Sequence, residues 1–76
     1  MRESETKLVR DSFSSVMAYL VYPQDLRELI ERVLAESQSI EKFMGKFKQV
    51  ISAETDSTHK TDGQIFLNEV RRHLAS

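Results

Sequence analysis

The sequence contains no cysteine and no tryptophan, one proline and only two glycines among its 76 residues. The absence of cysteine excludes disulfide bonds, thiolate metal sites and thiol nucleophiles. With 39% hydrophobic and 30% charged residues, the composition is that of a chain that folds, not of a disordered one. Because a chain this short buries only about 60% of its unfolded surface, we expect one domain of modest stability over residues 1–76.

Long hydrophobic runs are also lacking. The longest apolar run, Val16 to Tyr22, is far shorter than the roughly 20 residues that a helix needs to cross a bilayer. Acidic residues precede this run, where a secretory leader would be basic. We therefore expect a cytoplasmic chain that does not enter a membrane.

Neither sign of charge is in clear excess. Eleven Lys and Arg against twelve Asp and Glu give a formal net charge of -1. Proteins dedicated to nucleic-acid binding usually carry a clear basic excess, because neutralising phosphates dominates their affinity. The overall charge therefore argues mildly against that class.

Four segments have hydrophobic residues at helical spacing. The pattern is strongest where apolar residues recur at i, i+3, i+4, i+7 and i+8: Leu26, Leu29, Ile30, Val33 and Leu34. We predict helices over residues 5–22, 25–36, 39–53 and 62–75, with a polar loop over residues 54–61. Short connections favour an all-α four-helix bundle in which sequential neighbours pack antiparallel. In an alternative arrangement, the first helix projects and pairs with a second molecule.

Local signals predict where these helices start and stop. Pro23 ends the first helix because it disfavours the α conformation in the residue before it and lacks an N–H. The pairs Asp25 with Glu28 and Thr61 with Gln64 have the spacing of capping boxes for the second and fourth helices. The serines of the segment 37–39 can cap the third helix.

Gly45 lies inside the third helix, away from its apolar stripe. A glycine in a helix interior costs about 1 kcal/mol relative to alanine. Its presence indicates either close approach by a neighbouring backbone or partner, or an unimportant surface position. Both interpretations are consistent with the spacing.

The polar segment 54–63 contains three carboxylates and His59, one of the two histidines of the chain. A zinc site needs several converging ligands, and a calcium loop needs oxygen ligands at alternating positions and a closing glutamate. The segment has neither pattern, so we interpret it as a solvated connector and predict no metal site and no cofactor. No glycine-rich phosphate loop and no nucleophile with an identifiable base are present, so we predict no catalytic residue and no enzyme activity.

The end of the first helix has the residue types of a protein interface. Tyrosine and methionine are enriched in interface cores, and we predict an interface formed by Val16, Met17, Tyr19, Leu20 and Tyr22. An acidic second helix and a basic third helix could pair within or between chains and fix their register. We therefore predict a small regulator or adaptor that binds another protein and forms a homodimer.

A DNA-binding regulator is the alternative function. Lys42, Lys46, Lys48 and Gln49 lie on the third helix, which follows the second after a short turn as in a helix-turn-helix. In that motif Gly45 and Lys48 would occupy positions that are normally buried and aliphatic. The sequence therefore favours protein interaction over DNA binding.

Overall fold

The computed structural model describes residues 1–75, which contain four α-helices and no strand. The helices are α1 (Glu3–Val16), α2 (Pro23–Ala35), α3 (Ile40–Ala53) and α4 (Ser57–Ala75), and a short 3-10 turn (Met17–Tyr19) follows α1. The predicted all-α four-helix bundle is thus confirmed. Among the helices of residues 1–75, none combines the length and hydrophobicity needed to cross a bilayer.

Three fully buried phenylalanines form the centre of the core. Phe43 and Phe47 are stacked with ring centroids 5.5 Å apart, and Phe66 of α4 meets both of them edge-on at 6.3 and 5.1 Å. Such offset and edge-on arrangements are the favoured geometries of aromatic pairs. Aliphatic side chains from every helix surround the rings: Val9, Val16, Leu26, Ile30, Val33, Ile51 and Val70.

α4 is the helix on which the others pack. It contacts α1, α2 and α3, and its contact with α1 is the most extensive in the bundle. The principal neighbour of α1 is therefore α4 and not α2, the next helix along the chain. The link between α1 and α2 is itself hydrogen-bonded to α4, as described below.

The helix boundaries differ from the prediction by more than two residues at two places. α1 ends at Val16 instead of residue 22, because Leu20 is extended and the backbone N–H groups of Val21 and Tyr22 bond to a side chain of α4. α4 begins at Ser57, five residues before the predicted start, so His59 lies in its first turn and not in a loop.

The caps explain why α4 starts early. The Asp56 carboxylate accepts hydrogen bonds from the backbone N–H groups of Thr58 and His59, at 2.9 and 3.0 Å, which is the geometry of an N-cap. The predicted Thr61 cap is therefore wrong. The predicted box at Asp25 is wrong as well, because α2 starts at Pro23 with no side-chain cap. The serine cap of α3 is confirmed: Ser39 Oγ accepts from the Lys42 N–H at 3.2 Å.

The two glycines occupy opposite environments. A Cβ added to Gly45 would have no atom within 4 Å, so this glycine is an exposed position without a close neighbour. A Cβ added to Gly63 would lie 2.2 and 2.7 Å from Cδ1 and Cγ1 of Ile51. The close approach that the sequence suggested at Gly45 is instead made at Gly63, where α3 and α4 pack together.

We expect opposite effects from alanine at the two glycines. Gly63→Ala should lower the free energy of unfolding by about 1–3 kcal/mol, because the buried Ile51 side chain must move. Gly45→Ala should raise it by about 0.5–1 kcal/mol, because alanine favours an exposed helix. Urea denaturation of both variants and the parent chain measures the difference, and equal effects of the two substitutions would contradict the packing described here.

Candidate functional site

The segment Met17–Tyr22, called here the apolar loop, carries hydrophobic side chains on the surface. Tyr19 is 75% exposed and Val21 is 63% exposed, and Met17 and Tyr22 are each more than 40% exposed. Scattered exposed hydrophobic residues are ordinary, but several adjacent ones in one loop indicate a binding surface. The apolar loop is the candidate site of this protein.

The buried side chain of Asp62 holds this loop in place. Its carboxylate accepts hydrogen bonds from the backbone N–H groups of Val21 at 3.1 Å and Tyr22 at 2.8 Å. Asp62 is only 2% exposed, and a buried carboxylate is tolerated when it is well hydrogen-bonded. The backbone of the apolar loop is therefore fixed to the second turn of α4 while the side chains of Met17, Tyr19 and Val21 remain exposed.

His59 makes a second connection between the loop and α4. Its ring stacks on Tyr22 with centroids 4.2 Å apart and an interplanar angle of 9°. Nε2 lies 3.0 Å from Asp25 Oδ2 in α2, and Nδ1 lies 3.2 Å from Asp56 Oδ1. With a carboxylate at each ring nitrogen, the arrangement favours the doubly protonated imidazolium, which can donate to both.

The pKa values reflect these contacts. The hydrogen bond to Asp25, and then the one to Asp56, raise the pKa of His59 above its ordinary value of 6.5, although burial acts in the opposite direction. The pKa of Asp56 is lowered, chiefly because the backbone N–H of His59 donates to its carboxylate. Both shifts favour a charged His59–Asp56 pair at the start of α4.

The predicted interface residues divide into two groups. Met17, Tyr19 and Tyr22 lie together on the surface, whereas Val16 is in the core and Leu20 packs against it. Val21, which the sequence prediction omitted, is one of the most exposed residues of the loop. The sequence prediction omitted Val21 because it assumed a helix through residue 22. In the structure the backbone is extended at Leu20, so the side chains of the loop do not follow helical spacing.

The structure separates the lysines predicted for DNA binding. Lys42 and Lys46 lie one turn apart on α3, but Lys48 lies about 160° around the helix from Lys46. Lys46 donates to the backbone carbonyl of Glu36 near the end of α2, and Lys42 to the side chain of Gln38. Gln49 is exposed and lies on the Lys42 side of the helix. Lys48 instead faces α4, across a groove lined by both helices.

The polar segment 54–63, interpreted from the sequence as a solvated connector, makes several structural contacts. Of its side chains, Asp56 caps α4, His59 stacks on the loop and Asp62 anchors it. Within residues 1–75, no group of three or more His, Asp or Glu side chains is arranged to hold a metal ion. The side chains of this segment therefore cap α4 and connect it to the apolar loop.

Removing the Asp62 carboxylate tests the anchor of the loop. We expect Asp62→Ala to lower the free energy of unfolding by about 3 kcal/mol, because two backbone N–H groups lose a charged acceptor. Gln64→Ala, one residue beyond Gly63 on the exposed side of α4, is the matched control and should change it by less than about 0.5 kcal/mol. Equal urea midpoints for the two variants would show that the carboxylate does not hold the loop.

The raised pKa of His59 predicts that stability depends on pH. A group with a raised pKa in the folded state stabilises fully below its ordinary pKa of 6.5, and this contribution is lost as pH rises through the raised value. The free energy of unfolding should therefore fall as pH rises above about 6.5. His59→Gln should flatten this fall relative to the parent chain. A His59→Gln profile parallel to that of the parent would rule out the role assigned to His59.

Comparison with known proteins places the chain in a family. A family model described as the MJ1579 family matches residues 6–73, from the first turn of α1 almost to the end of α4. No curated protein and no solved structure matches the chain significantly. Because the match includes the loop, its anchor and all four helices, the chain belongs to the MJ1579 family.

Proposed function

We propose that this chain is a non-enzymatic protein-binding module, a regulator or adaptor in the cytoplasm, that forms a homodimer through the apolar loop. The observation that supports this is the combination of exposed hydrophobic side chains with a fixed backbone. Tyr19 and Val21 are exposed to solvent although the backbone on which they lie is bonded to the buried Asp62.

The energetics favour association at this loop. Burying one large hydrophobic side chain contributes about 1.5–3 kcal/mol, and Met17, Tyr19 and Val21 each have much of this still to gain. Binding also costs less when the binding surface is already ordered. Since Asp62 fixes the backbone at Val21 and Tyr22 before association, less backbone conformational entropy is left to lose.

The helices before and after the loop, α1 and α2, carry charged side chains on their surface. The Phe13 ring of α1 lies beneath the Arg27 guanidinium of α2, 5.5 Å from the ring centroid. Arg10 forms a two-point ion pair with Glu31, at 2.9 and 3.2 Å. Because these helices carry both signs of charge, two copies related by a two-fold axis can place opposite charges against each other.

DNA binding through α3 is the weaker alternative. The helix would need several cations and base-reading side chains on one face. Lys48 instead lies about 160° around α3 from Lys46 and lines the groove toward α4, so the cations do not share one face. Lys46 also bonds to the backbone of α2, which is a structural role.

Replacing the most exposed loop residues tests the proposal. The double variant Tyr19→Ser with Val21→Ser should raise the dimer dissociation constant about a hundredfold, because two hydrophobic contacts are lost from each copy. Sedimentation equilibrium over a range of concentrations measures this constant. Circular dichroism should show unchanged helix content, since neither side chain belongs to the core.

The matched control replaces an exposed hydrophobic residue elsewhere. Leu74→Ser removes an exposed hydrophobic side chain from the last turn of α4 and should leave the dissociation constant unchanged. A parent chain that remains monomeric at all concentrations, or a dimer that the loop variant does not weaken, would refute the proposed interface.

A further inference from the structure

A groove between α3 and α4, on a different part of the surface from the apolar loop, concentrates positive charge. Its volume is about 410 Å³, and its floor is formed by the buried side chains of Ile51 and Leu67. Six polar side chains form its walls: Lys48, Ser52, Lys60, Gln64, Asn68 and Arg71. This set is called here the basic groove.

Helical spacing explains why these side chains meet. Residues 60, 64, 68 and 71 of α4 follow one another at intervals of four, four and three, which places them along one side of the helix. Lys48 and Ser52 are likewise one turn apart on α3. The packing at Gly63, where Ile51 takes the place of a Cβ, brings the two rows together.

The charges of the groove are not balanced within the described residues. No carboxylate lines it, and no ion pair joins Lys48, Lys60 or Arg71 to an acidic side chain of residues 1–75. Arg71 donates a hydrogen bond only to the amide oxygen of Asn68, at 3.2 Å. A row of cations without internal partners attracts an external anion.

Two other clefts of the molecule show the contrast. The cleft at Arg10 and Arg27 contains Glu31, and the cleft at Arg32 and His59 contains carboxylates, Asp25 among them. Their cations are therefore accompanied by acidic residues of the same chain. The basic groove differs because its polar side chains are all cationic or neutral.

The side chains of the groove indicate what kind of anion fits. A guanidinium binds a carboxylate through two hydrogen bonds, and the amides and the hydroxyl can bond to a peptide backbone. No aromatic side chain lines the groove, whereas proteins that bind single-stranded nucleic acid stack bases on aromatic rings. The charged row is also short, about 16 Å along α4 between Lys60 and Arg71.

We propose that the basic groove binds a short acidic segment of a partner protein, whose carboxylates pair with Lys48, Lys60 and Arg71. An extended segment of about five residues has the length of the charged row. This binding site is independent of the apolar loop, so a partner could occupy the groove whether or not the chain dimerises through the loop.

Fluorescence anisotropy with a labelled, glutamate-rich peptide of about ten residues tests this proposal, since that length exceeds the charged row. The triple variant Lys48→Gln, Lys60→Gln, Arg71→Gln should weaken binding about tenfold, because three exposed ion pairs are lost. The affinity of the parent chain should also fall as salt is added.

Two control proteins separate the groove from other effects. Lys7→Gln, Lys42→Gln, Arg72→Gln removes the same number of positive charges outside the groove and should leave peptide affinity within about threefold of the parent. The loop variant Tyr19→Ser with Val21→Ser should bind the peptide as the parent does, whatever its effect on the dimer.

Three results would overturn the proposal. The first is no binding of the peptide at low salt, and the second is an equal loss of affinity in the two triple variants. The third is tighter binding of an oligonucleotide than of the peptide, with loss of that binding in the groove variant. That result would assign the groove to nucleic acid instead of an acidic protein segment.

Discussion

Two hydrogen bonds from the link between α1 and α2 to the buried Asp62 carboxylate determine the arrangement of the bundle. They end α1 before Pro23 by using backbone N–H groups that a longer helix would have bonded internally. They also direct the link toward α4, which becomes the principal neighbour of α1. The adjacent Gly63 lets the same turn of α4 pack closely on Ile51 of α3. One turn of one helix thus positions three others.

Most of the fold could be predicted because its determinants are local. Apolar periodicity identified four helices, and the Ser39 cap acts within three residues of itself. The start of α4 could not be identified in this way, since Asp56 and Thr61 are equally plausible caps by local pattern. In the structure Asp56 is the cap, and the Thr61 hydroxyl donates to the Ser57 carbonyl inside the helix. The neighbouring Asp62 makes a contact 41 residues away, and such a contact leaves no periodic signal.

The candidate sites were predictable by residue type and not by geometry. Met17, Tyr19 and Tyr22 were identified because tyrosine and methionine are common in interfaces, but a helical reading of the same segment missed Val21 and included Val16. Lys48 was grouped with Lys42 and Lys46 because the three are close in sequence. Its neighbours in the basic groove come from another helix, and no spacing rule relates Lys48 to Lys60 or Arg71.

The hydrogen bonds between Asp62 and the apolar loop connect distant parts of the chain. Because the bond from Val21 joins residues 41 positions apart, the loop can be fixed only once α4 lies against α1. Without that packing, the segment 17–22 lacks its anchor. The hydrophobic surface of the loop is therefore presented in this form only when the two ends of the chain are packed together.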